Sequence, residues 1–511
     1  MAVAYATTPL VSIRQGKVRG TVTDGVHAFK GIPYAAPPFG ANHLRAPQPP
    51  ESWSGVRDAL VDGPKPPQPP FPGTENAPAP WDRAPVGEDC LNLNIWTPDP
   101  AAVGLPVMIW ITGGSFRAGS NAWYDGSRFA RDGVVCVAIN YRSGPEGFLY
   151  LKDGIPNRGL LDQVAAMRWV RENIAAFGGD PDNVTVCGES AGAMSIGMLL
   201  AMPRAKGLFR RAILQSGAAH HVISADAARR IGELFAEKLH IAPTQEAVAT
   251  VPFDRLIAAH AALDADVAAR PDPDVWGVSM AGAMLTQPVI DGDVIPSVPL
   301  ERIRAGSAAA VDVIVGTNVD DWRMFLAFTG AIGQITDKML TGPVIEYGPQ
   351  SFAAYGLPVE KALAAYRAAN PSATPGDLLA AIQTDWWCRI PAIRLAEAHV
   401  NNASRTYMYE FAWPSPTGNG LFGACHALEI PFVFDTLDQG PGQMLGDLLG
   451  SEPPRQLATA MHSAWVSFMT RGDPGWSAYE LSRRATMRFD VVSRVVNDPR
   501  SAERALWEGA R

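Results

Sequence analysis

Short apolar runs, almost free of charge, recur at residues 107–111, 134–139, 184–187, 212–214 and 313–315, and further runs follow at 405–411 and 486–492. Their length and β-branched content predict parallel strands covered on both faces. Between the second and third runs, Val164, Met167, Val170 and Ile174 share one face of a helix expected over residues 161–177, which gives a strand, helix, strand crossover. Ahead of these, residues 11–33 alternate apolar and polar positions around Gly16, Gly20 and Gly25, as short antiparallel strands joined by turns do. Residues 37–85 are too rich in proline for long regular elements and predict an irregular surface excursion. Helical patterns within 225–300 and 340–402 read as insertions over the sheet, because strand-like runs resume after each. The pattern predicts an α/β fold in one large domain, residues 1–511, with a mostly parallel twisted sheet and helices on both faces.

Composition narrows the function more than the fold. A chain of 511 residues that is 47% hydrophobic and 18% charged has material for a large core. A net charge of −8 without long Lys/Arg runs argues against a nucleic-acid partner. No window approaches the roughly 18 consecutive apolar residues of a membrane span. Residues 1–12 lack a basic segment followed by an apolar run, so the expectation is a cytoplasmic protein without membrane contact, or a secreted or periplasmic one whose leader has been removed. The five cysteines are odd in number, scattered, and not at metal-ligand spacing; Cys136 and Cys187 lie inside apolar runs as buried hydrophobes.

The chemistry enters at Gly188-Glu189-Ser190-Ala191-Gly192, the one Gly-x-Ser-x-Gly in the chain, between the run at 184–187 and an Ala/Met/Leu helix expected over 191–202. In that setting the motif reads as a nucleophile elbow, with small residues two before and two after the serine so that strand and helix can close on a strained turn. Together with Gly159-Leu160-Leu161-Asp162-Gln163, Phe177-Gly178-Gly179-Asp180-Pro181, Glu88-Asp89-Cys90-Leu91-Asn92-Leu93-Asn94 and Asn140-Tyr141-Arg142, it resembles the type-B carboxylesterase family, which includes cholinesterases and bacterial para-nitrobenzyl esterases. The resemblance runs from about residue 11 to 489 and implies the α/β-hydrolase fold.

A serine hydroxyl needs a base, and the base needs an orienting acid. The resemblance places the histidine at His426, in Gly423-Ala424-Cys425-His426-Ala427-Leu428-Glu429, and the acid at Asp321, in Gly316-Thr317-Asn318-Val319-Asp320-Asp321. There the family usually has Glu followed by Gly, whereas this chain has the shorter Asp followed by Trp322; Asp320 is the rival acid. Backbone N–H groups of Gly114, Ser115 and Ala191 are the implied oxyanion donors, with Ser115 standing where a third glycine is usual and Thr112 where His or Tyr is usual. Ser216 is expected to support the acid, Glu189 to stand beside the nucleophile, and Arg142 to pair with Glu88. Pro66 replaces a cysteine found in related eukaryotic esterases, so Cys90 is expected to lack its disulfide partner.

Phe116, Trp123, Phe325, Trp386, Trp387 and Phe422 fall where the family lines its gorge, implying an apolar or aryl pocket, although core packing explains any one of them alone. Arg117 and Arg323, beside the oxyanion loop and the acid, suggest a carboxylate on the substrate unless they are ordinary surface arginines. The expected activity is hydrolysis of small to medium esters through an acyl-enzyme, by a monomer or homodimer, with a small-molecule ester as partner and no metal or organic cofactor. The alternatives are a catalytically inactive binding protein and the same machinery acting on amides, carbamates or thioesters.

Overall fold

The computed structural model describes residues 8–70, 79, 81–277 and 284–510. Parts of the proline-rich excursion (71–78 and 80) and of the first helical insertion (278–283) lie outside the described residues.

The chain opens with β1 (Leu10–Ile13), β2 (Gly16–Arg19), β3 (Thr21–Thr23), β4 (Val26–Pro33) and β5 (Val56–Asp58), then β6 (Asn92–Thr97), β7 (Leu105–Ile111), β8 (Val135–Ile139), β9 (Gly179–Glu189) and β10 (Arg211–Gln215). After β11 (Ile223–Ser224) and β12 (Val289–Ile290) come β13 (Asp312–Asn318), β14 (Thr406–Phe411), β15 (Ala485–Phe489) and β16 (Arg494–Asn497). One sheet runs β16-β15-β14-β13-β10-β9-β7-β8-β6-β4-β3. Its centre, from β15 across to β8, is parallel, and both margins are antiparallel. The predicted crossover is the helix Arg158–Asn173, which carries the chain from β8 past β7 to β9.

Period-two alternation divides the apolar residues between the two faces. On β7, Val107, Ile109 and Ile111 join the core that holds the helices Arg158–Asn173 and Ala191–Ala201. Met108 and Trp110 join the opposite core, with Leu457, Met461, Trp465 and Phe468 of the helix Arg455–Arg471. Cys136 and Cys187 are fully enclosed in that second core. The helical insertions take shape as Ala225–Leu239, Gln245–Ala249 and Phe253–Ala269, and as Val359–Ala369, Pro375–Thr384 and Ile390–His399. Because β7, β9 and β13 are parallel, their C-terminal ends lie along one edge, and the loops leaving them meet there.

One expected pairing is replaced. Arg142 is bound by Asp162, with Nε and Nη2 donating at 2.8 and 2.7 Å, and not by Glu88. Arg142 is 1% exposed, so its charge needs an acid equally shut off from water; Asp162, on the helix Arg158–Asn173, is fully buried, while Glu88 is exposed. Cys90 is buried and not in a disulfide.

Candidate active site

β9 ends at Glu189 and the helix Ala191–Ala201 begins two residues later, so Ser190 alone makes the turn, at φ 55° and ψ −124°. Backbone of this kind costs a residue with a Cβ about 1–3 kcal/mol. Glycines let the elements close: a Cβ on Gly192 would sit 2.0 Å from the Ile111 carbonyl oxygen, and one on Gly188 2.8 Å from it. Ser190 N–H donates to the Gln215 carbonyl at 2.8 Å, and the Ser190 carbonyl accepts from Met194 N–H at 2.8 Å.

His426, on the loop after β14, has Nδ1 2.8 Å from Asp321 Oδ1. The other oxygen of Asp321 accepts from Ser216 Oγ and from Asn318 N–H, both at 3.0 Å. Asp320 turns elsewhere, its Oδ2 accepting from Ala424 N–H at 3.0 Å, which closes the histidine loop against the acid loop. Asp321, not Asp320, therefore carries the bond to the imidazole. Trp322 fits where glycine was expected because its φ of −79° is ordinary right-handed backbone at the start of the helix Arg323–Phe328.

Nε2 of His426 points at the elbow, 3.0 Å from Glu189 Oε1. Burial works against charging this imidazole, yet the Glu189 carboxylate and the bond to Asp321 outweigh it and hold the group well above its usual range. Burial raises Glu189, and the nearby His426 only partly offsets that. Glu429, which the sequence reading left without a role, is a third acid here: burial and the charge of Glu189 push it up to about 7, against hydrogen bonds from Gln215 and Asn318 at 3.0 and 2.6 Å. Its signal was its place three residues beyond His426.

Among the described residues one trio has metal-ligand chemistry, Asp321, Cys388 and His426, with donor atoms within 4.8 Å of one another. Asp321 Oδ1 is already engaged with Nδ1, and burial raises the Cys388 thiol and so disfavours the thiolate a metal would need. The trio is an acid and imidazole pair with a buried thiol beside it.

The loop leaving β7 lies against the nucleophile. A Cβ on Gly113 would meet Glu189 Oε2 at 2.8 Å and Ser190 Cβ at 3.1 Å. Next come Gly114 at φ 115°, Ser115 at 55° and Phe116 at 57°. The turn is closed by Arg117 N–H and Ala118 N–H, which donate to the Gly114 carbonyl at 2.9 and 3.1 Å. Ser115 thus occupies the left-handed region, which glycine adopts freely and serine only at a cost.

The aromatic residues divide. Phe325 lies 5.4 Å from the His426 ring and 4.5 Å from Trp322; Trp322 stacks on Trp387 at 4.3 Å, and Trp387 on His221 at 4.7 Å. Trp386 packs edge-on to Trp387, through a π-helical turn at Asp385–Arg389. Phe422 packs on Phe328, and Phe116 is buried against Phe148. Trp123 is buried, donating its indole N–H to Asp82 Oδ1 at 2.8 Å and packing edge-on to Trp81. The two arginines are engaged within the protein: Arg117 Nη2 is 2.7 Å from Asp264 Oδ2, and Arg323 Nη1 is 2.6 Å from Asp377 Oδ1.

The chain is similar to known proteins over nearly its whole length. The carboxylesterase family model matches residues 7–504. The chain is 38% identical to the para-nitrobenzyl esterase of Bacillus subtilis (strain 168), covering 98% of each protein. It is 34% identical to the phenmedipham hydrolase of Pseudarthrobacter oxydans, over 92% of this chain and 91% of that one. The crystal structure of a Geobacillus stearothermophilus carboxylesterase superimposes with a TM-score of 0.82 at 37% identity, over 98% of this chain and 99% of that one.

Proposed function

The chain belongs to the carboxylesterase family and hydrolyses carboxylic esters, and we propose that Ser190 is its nucleophile, His426 its general base and acid, and Asp321 the group that orients His426. The observation that carries this reading is the 2.8 Å bond between His426 Nδ1 and Asp321 Oδ1, with Nε2 turned toward the elbow. Ser190 Oγ attacks the ester carbonyl as Nε2 takes its proton, and the backbone N–H groups of Gly114, Ser115 and Ala191 hold the oxyanion. The protonated imidazole gives its proton to the departing alcohol. Water then repeats the sequence on the acyl-enzyme, with His426 again as base. Asp321 keeps the Nδ1 proton fixed and stabilises the imidazolium, and Ser216 and Asn318 hold that carboxylate in place.

The substrates fitting this site are small to medium esters with an apolar or aryl part, which would meet the rings of Phe325 and Trp322 beside His426. The name of the para-nitrobenzyl esterase relative supports an aryl group. The inactive-protein reading is not favoured, since the matched relatives are named for hydrolysis. We place no nucleic acid or membrane among its partners, on the net charge of −8, and expect a monomer or homodimer; among the described residues no helix is long and apolar enough to cross a membrane. The test is a fluorophosphonate probe followed by peptide mapping. Ser190 should be the labelled residue, and labelling elsewhere, or none on folded protein, overturns the assignment.

A further inference from the structure

The oxyanion turn has a conformational problem that its own sequence does not solve. Ser115 and Phe116 are consecutive left-handed residues, each bearing a Cβ, and such backbone persists only where the surroundings over-determine it. Three contacts from outside the turn meet it. Phe116 carbonyl accepts from Gly144 N–H at 2.5 Å, from the segment after β8. Gly119 N–H donates to Gln68 Oε1 at 2.5 Å, from the proline-rich excursion. Arg117 meets Asp264, on the helix Phe253–Ala269 of the first insertion, at 2.7 Å.

The last contact has the most to gain from staying intact. Both carboxylate oxygens of Asp264 are shut off from solvent, so the acid is left uncompensated if Arg117 moves away. Burial raises its carboxyl to about 6, and Arg117 is the charge that opposes this. The neighbouring His260 does not compete for it, since burial and Arg117 push that imidazole down to about 3. Behind the turn, Gln68, Arg117, Ser143, Ile257 and His260 enclose a space of about 20 Å³, room for one water, so the insertion and the excursion abut the loop directly.

We infer that the Arg117–Asp264 ion pair, with Gln68 on Gly119, clamps residues 114–117 in the left-handed turn that aims the oxyanion donors, which makes Asp264 a positioning residue for ester hydrolysis. The inference rests on the reading of Gly114 and Ser115 as oxyanion donors. It assigns the helical insertion a part in the reaction without contact with substrate. The ion pair is of use because Ser115 and Phe116 would otherwise relax toward right-handed backbone and rotate the donors off the oxyanion.

A double-mutant cycle between Asp264→Asn and Ser115→Gly tests this, with para-nitrophenyl acetate as substrate and a trifluoromethyl ketone as oxyanion mimic. Denaturant midpoints are measured on the same four proteins. Asp264→Asn alone should lower kcat about 10- to 100-fold, because misplacement by about 1 Å can cost 10²-fold. KM should change little, the ketone should bind correspondingly more weakly, and Asp264→Glu should restore part of the loss. In the Ser115→Gly background, where only Phe116 is left strained, the same Asp264→Asn change should cost several-fold less than it does in the wild type. An equal loss in both backgrounds, or a loss in KM alone, overturns the clamp. Coupling in the midpoints with kcat and ketone affinity unchanged would instead overturn the oxyanion assignment beneath it. If Asp264→Asn fails to fold, Gln68→Ala replaces it in the same cycle, with the same outcomes deciding.

Discussion

The nucleophile elbow and the oxyanion turn meet where Gly113 packs on Ser190, and each holds a serine at positive φ by different means. Ser190 and Ser115 both sit at φ 55°. At the elbow the strained serine is flanked by Gly188 and Gly192, and the strand and helix on either side belong to the sheet core. At the turn the strained residues are followed by no glycine until Gly119, and the supports come from Gln68, Gly144 and Asp264. The elbow is local and written in five consecutive residues. The turn is held by segments up to about 150 positions away, so a positive φ can be robust at one side of a site and conditional at the other.

The sharpest way to break the comparison is to remove the local device. In Gly192→Ala the added methyl would lie 2.0 Å from the Ile111 carbonyl oxygen, a backbone atom that no rotamer change can clear. Overpacking of that kind costs about 1–3 kcal/mol or more. The expected result is a large fall in the denaturant midpoint and loss of esterase activity together. A variant with wild-type midpoint and rate would show that the elbow has slack that its geometry denies.

A smaller effect separates the elbow's electrostatics from its shape. Glu189 is the largest of the influences raising His426, and it opposes the burial that would lower that group. The base works only when neutral, so activity is lost as pH falls through the imidazole pKa, and a raised pKa moves that loss to higher pH. Glu189→Gln keeps the shape and removes the charge. The acid limb of kcat/KM should move to lower pH, as read in a pH profile. An unmoved limb would mean that Asp321 alone sets the protonation of His426.

The same division explains what the sequence disclosed. The parallel strands, the crossover helix and the strand-to-helix turn at Ser190 were legible because period and glycine spacing are local signals. The partners of Arg142, Arg117 and Arg323 were not, because pairing depends on which acid is buried beside each guanidinium after folding. The bond of Trp123 to Asp82 was not legible either, because the two lie 41 positions apart. β6 went unnamed because Asn92 to Asn94 were read as a motif, although Leu93 and Ile95 alternate with polar residues there as a strand requires. Trp322 was read as a local departure, and its stacking on Trp387 became visible only once the second insertion had folded over the acid loop.

The smallest effect asks whether the turn's strain is real in energy. Left-handed backbone costs a residue with a Cβ about 1–2 kcal/mol, and glycine removes that cost. Glycine also loses more freedom on folding, a penalty of about 0.5–1 kcal/mol. The two oppose each other, and the first is larger, so Ser115→Gly should stabilise the enzyme by about 0.5 kcal/mol, seen as a slightly higher denaturant midpoint. The backbone N–H survives the change, so kcat should stay within about threefold. A lower midpoint would mean that the serine hydroxyl makes a contact worth more than the strain. The oxyanion turn would then be held from within, as the elbow is, and the contrast between the two regions would fall.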